Sequence, residues 1–130
     1  MKYLHAVHAL VAWAHVNSEH HAAFHAWARR TGPANLWTCA HSELGFLRVS
    51  MQVFGMSRLL AADELARLKM HTGGFIAIAS SPLLPAWATT AARTTDAYLT
   101  QLARENDMRL ATFDTGIKDS IAEHIARVQL

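Results

Sequence analysis

Short apolar runs alternate with amphipathic stretches along this chain, and the alternation predicts strands between helices. Lys2–Val7 is short and apolar enough for a buried strand, and His8–His15 reads as a helix. Ser18 can cap a second helix from Glu19 to Arg30, which Thr31-Gly32-Pro33 stops. Leu36–Cys39 is extended. Ala40–Phe54 reads as a helix with Leu44, Leu47 and Met51 on one face, ended by Gly55. Ala61–His71 is a further helix that faces Leu65 and Leu68 inward and stops at Gly73-Gly74. Phe75–Ala79 is expected to be a central strand, and Pro82 and Pro85 mark a loop. Thr94–Glu105 carries the stripe Tyr98, Leu99 and Leu102. Leu110–Phe113 and Ile125–Gln129 read as the last strands.

Strands alternating with helices imply an α/β domain with a largely parallel sheet and helices on both faces. The chain has 130 residues and no linker, repeat or low-complexity segment, so residues 1–130 are read as one domain. Open parallel sheets bind ligands outside the carboxyl ends of their strands. Asp114 sits at such an end, and so does Ala6; Asp96 opens a helix after a loop. The expected sandwich could gather these positions, with Glu43 facing them from the helix that begins at Ala40.

Composition narrows the picture a little. At 52% hydrophobic the chain is apolar enough for a packed globule. Its formal charge of +2 comes from scattered basic residues, which permits RNA binding without arguing for it. The single cysteine, Cys39, has no internal disulfide partner and reads as a core residue, which suits a reducing, cytoplasmic setting. His5 and His8 interrupt the opening apolar run, so it is not read as a signal peptide, and no segment has the length of a membrane span.

Three acids carry the chemistry. Each has a bland reading: Asp96 complements a helix dipole, Asp114 makes a turn, and Glu43 is a solvated helix position. Clustered, they do something else. Crowded carboxylates repel one another unless a cation neutralises them. Hard divalent ions take oxygen ligands, and paired Mg²⁺ or Mn²⁺ can activate water and relieve charge on a phosphodiester.

The local contexts resemble the PIN-domain ribonucleases of the VapC toxin type. The matching pieces are Glu43 in SELGFLRVS, the helix start Thr95-Asp96 with Leu99, and Leu110, Thr112, Phe113 and Asp114 in LATFD. Trp87 after Pro85 and the helix holding His21, His25 and Trp27 add to the likeness, which covers nearly the whole chain. The resemblance implies a single PIN domain that hydrolyses RNA with Mg²⁺ or Mn²⁺, with Glu43, Asp96 and Asp114 as catalytic, metal-holding acids. It implies a VapB-type antitoxin partner and a homodimer.

The chain departs from the family at its opening. Family members end the first strand in Asp, followed two residues later by Asn or a similar polar residue; here those positions are Ala6 and His8. Losing that acid implies weak metal binding and impaired or absent cleavage. His8 is either an inert helix-start residue or a substitute ligand. Drift in the gene and a deliberate Asp-to-Ala change both account for Ala6; His5 and His8 favour drift. The alternative reading is a non-catalytic PIN module that binds RNA or an antitoxin. His21 and His25, one turn apart, could chelate a metal or line a solvated face, and the four tryptophans could stack on bases or pack the core.

Overall fold

In the computed structural model, which describes residues 1–125, the chain opens with strand β1 (Tyr3–His5) and turns at once into helix α1 (Val7–Ala14). Helix α2 (His21–Thr31), strand β2 (Leu36–Cys39) and helices α3 (Ala40–Gln52) and α4 (Arg58–Lys69) follow. Strand β3 (Gly74–Ile76), a long connection, helix α5 (Thr94–Glu105), and strands β4 (Arg109–Thr112) and β5 (Ala122–His124) complete the described residues. The strands form one sheet in the order β3-β2-β1-β4-β5, and every pair is parallel.

Pleating splits the core in two. Leu4 and Leu110 join Phe46, Leu68, Leu99 and Leu102 from α3, α4 and α5. Leu36 and Ala111 meet Phe24 and Trp27 from α2. Helix α1 contributes to both clusters, through Leu10 and Val11 to one and Ala9 and Ala12 to the other. The α/β architecture with a parallel central sheet is therefore as its alternating pattern predicts.

Several local expectations are corrected. Ser18 does not cap α2: the helix begins at His21 behind His20, and the Ser18 hydroxyl instead accepts from the His20 amide at 3.2 Å. Helix α2 ends on Gly32, whose φ of 88° is open to glycine and strained for other residues. Phe75–Ala79 is not central. Its strand is only Gly74–Ile76, it lies at the sheet edge, and Ile78 is 86% exposed. The central strand is β1. Of the expected strand Ile125–Gln129, Ile125 follows β5 without joining it, and 126–129 lie outside the described residues.

The inward face of α3 is also different. Leu44 and Met51 are exposed, whereas Ser42, Gly45, Phe46 and Ser50 are buried. Small residues let α1 approach α3 closely: a Cβ on Gly45 would lie 2.4 Å from a Val7 methyl carbon. Gly45→Ala should thus cost stability even though alanine favours a helix by about 1 kcal/mol. Overpacking costs about 1–3 kcal/mol, so a net loss of about 1 kcal/mol is expected in urea melts. Val7→Ala should recover part of that loss in the double variant.

Candidate functional site

β1 and β4 are neighbours at the middle of the sheet, so their carboxyl ends open side by side. Ala6 follows β1 as the N-cap of α1, with extended backbone and no side-chain cap. Asp, Asn or Ser usually fills that position, because a side-chain oxygen there accepts an orphan helix N–H. Asp114 lies just past β4. Ala6, Asp96, Asp114 and His8 line one cleft of about 520 Å³ with Val49, Phe54 and the Asn17–His20 turn. The structure thus brings together Ala6, His8, Asp96 and Asp114.

Asp114 is held on both sides. Its Oδ1 accepts from the Gly116 amide at 2.8 Å, and its Oδ2 accepts from Arg93 Nη1 at 2.9 Å. Its own amide donates to Thr112 Oγ1 at 3.0 Å. Asp96 lies in the first turn of α5 and is half-buried. Burial raises its pKa above the ordinary carboxyl value and the nearby Asp114 charge raises it further, while Arg93 and His8 oppose the shift. Asp96 therefore feels the charge of Asp114.

Glu43 is placed differently. It does not line this cleft: it is buried near the start of α3, accepting from Thr38 Oγ1 at 2.6 Å and pairing with Lys69 Nζ at 3.2 Å. Among the described residues no three of His, Cys, Asp and Glu are arranged to hold a metal ion. Two carboxylates that repel one another still suit a hard cation, with His8 beside them as a nitrogen donor. Glu43 could join them only by exchanging Lys69.

Thr38, Lys69 and Arg93 escape a reading of the sequence alone. Arg93 had a signal, standing three residues before Asp96, a spacing that neighbours it along a helical path. Lys69 had none, because its partner is a tertiary contact.

His21, His25 and the tryptophans take structural roles. His21 Nδ1 and His25 Nε2 donate to the carbonyls of Ala12 and Trp13, 2.7 and 3.1 Å away, and so cap the carboxyl end of α1. Trp27 is buried, and Trp13, Trp37 and Trp87 pack against the core. Cys39 is buried and forms the N-cap of α3 in a reciprocal contact with Ser42. No helix among the described residues is long and apolar enough to cross a membrane.

A central parallel sheet with two acids at the carboxyl ends of its strands defines an α/β domain whose cleft lies where such sheets bind ligands. No family model matches the chain. It is similar to Ribonuclease VapC38 of Mycobacterium tuberculosis (strain ATCC 25618 / H37Rv), with 30% identity over 122 residues, covering 85% of this chain and 84% of that protein. On that likeness the chain belongs to the VapC ribonuclease family.

Proposed function

We propose that this chain is an endoribonuclease toxin of the VapC type that uses Mg²⁺ or Mn²⁺ and is impaired by Ala6 at the position of a metal-binding Asp. The observation that carries the reading is the pair Asp96 and Asp114, facing one cleft closely enough that the Asp114 charge helps raise the pKa of Asp96. In this reading the pair holds the cation and His8 supports it. Glu43 is the third acid, kept in reserve by Lys69. A bound divalent ion would relieve charge on the phosphodiester and lower the pKa of its water. The empty N-cap at Ala6 fits the loss of an Asp, since that residue would have both capped α1 and entered the cleft. An antitoxin of the VapB type would cover the cleft with a basic segment, and a homodimer is the proposed assembly.

A gel assay of RNA cleavage with Mn²⁺ tests this. Weak, EDTA-sensitive cleavage is expected, lost in Asp96→Asn. Cleavage of equal strength in the parent and in Asp96→Asn would remove the nuclease reading. A second reading, a non-catalytic module that binds RNA or an antitoxin, draws on the ion pairs of Lys69 with Glu43 and Arg93 with Asp114, which give two acids internal counterions. It predicts RNA or antitoxin binding with no cleavage even after Ala6→Asp.

A further inference from the structure

Arg93 stands at the rim of the acidic cleft. Its Nη1 donates to Asp114 Oδ2 at 2.9 Å, and its side chain is 32% exposed. The guanidinium lies over Gly116: a Cβ there would come within 2.1 Å of Arg93 Nη2. Gly116 also donates its amide to Asp114, so the turn that fixes the acid leaves room for the arginine. Among the described residues the cleft lining contains neither Lys nor Arg; its charged residues there are Glu19, Asp96 and Asp114, with His8 and His20 beside them. An RNA phosphate approaching such a lining meets repulsion unless a cation is supplied.

We propose that Arg93 and a divalent cation compete for Asp114, and that Arg93, once displaced, anchors a phosphate of the RNA strand. The inference rests on the metal-dependent reading of the site. Two observations carry it. First, the carboxylate oxygen that a cation would need already accepts from Arg93, so a cation entering there must displace a charge-assisted hydrogen bond. Second, the contact uses only one of the several N–H donors of a guanidinium, whose planar fork suits phosphate oxygens. About a third exposed at the rim, the released side chain can turn outward to a backbone phosphate while the cation stays on the acids. Arg93 would then be a substrate-binding residue, and its resting contact would keep the acids neutralised between substrates.

The two halves predict opposite effects of one substitution. Mn²⁺ affinity is read by calorimetry on the full chain. RNA affinity is read by fluorescence anisotropy with a labelled single-stranded oligouridylate in Mn²⁺. Arg93→Ala should bind Mn²⁺ several-fold more tightly, because its competitor is gone. It should bind the oligouridylate several-fold more weakly, and the slope of log affinity against log salt should fall by about one. Arg93→Lys should keep that salt slope. A joint fall in both affinities, or no change in either, would overturn the proposal. The parent reading fails separately: if neither the unmodified chain nor Ala6→Asp binds Mn²⁺ in a way that Asp114→Asn abolishes, the metal site is wrong and this inference falls with it. If Mn²⁺ binds through Asp114 and Arg93→Ala changes neither affinity, this inference is wrong and the metal reading stands.

Discussion

Ala6→Asp is expected to turn a weak or silent nuclease into an active one, raising Mn²⁺-dependent RNA cleavage at least about 10–100-fold, the range seen when even outer partners of a metal site are restored. The same change should alter stability in a cation-dependent way. Ala6 is buried and faces the cleft with Asp96 and Asp114. A third carboxylate there adds repulsion, while its oxygen caps α1. In EDTA these effects oppose one another. With Mn²⁺ the repulsion becomes a ligand set, and binding at a hundredfold excess over Kd adds about 2.7 kcal/mol. Thermal melts with and without Mn²⁺ should therefore show a larger metal-dependent rise in Tm for Ala6→Asp than for the parent. Equal rises, with cleavage still absent, would show that position 6 is not a ligand position.

Acid should destabilise the fold through one buried histidine. His5 is fully buried, with its ring 5.4 Å from Trp13 and 5.6 Å from Phe24, centre to centre. Its Nδ1 donates to the Trp37 carbonyl at 2.9 Å, and its Nε2 is buried without a partner. Burial lowers its pKa to about 4, and the bond to Trp37 opposes the shift only in part. The unfolded chain binds this proton near pH 6.5 and the folded chain only near pH 4. Between those values the unfolded state holds more protons, so stability falls as pH falls and the loss is complete below the folded value. The expected loss is about 3 kcal/mol. His15, whose pKa burial also lowers, adds to it. His5→Asn keeps a donor for Trp37 but cannot titrate there. Urea melts at pH 7 and pH 4.5 should show a much smaller drop for this variant than for the parent. An equal drop in both would remove His5 as the cause.

The elements that the chain pattern predicted well are those whose signal is local. Strand Leu36–Cys39 and helix Thr94–Glu105 have the predicted bounds, because the first ends where a helix starts and the second has one uninterrupted apolar stripe. Helix α3 deceived because hydrophobic spacing is blind to size: its buried face is chosen by Gly45 and Ser50, which admit α1, and not by Leu44 or Met51. The edge position of β3 was hidden for a similar reason, since Phe75, Ile76 and Ile78 are apolar whichever side of the sheet they reach. At the site, the meeting of Asp96 with Asp114 follows from their places at an α5 start and a β4 end. The counterions of Glu43 and Asp114 do not, because Lys69 is brought to Glu43 by the packing of α4 on α3 and Arg93 to Asp114 by a long connection.

The strand order also governs when the cleft can exist. β1 is central, and one of its two neighbours is β4, more than a hundred residues later in the sequence. Parallel pairing between such distant segments closes a long loop and is slow compared with local helix formation. During synthesis, then, a growing chain can form α1, α2 and the β1–β2 pair while the floor of the cleft is still missing. Asp96 and Asp114 can meet only after the chain through Asp114 has left the ribosome. A truncated product that stops before Arg109 would have no assembled cleft.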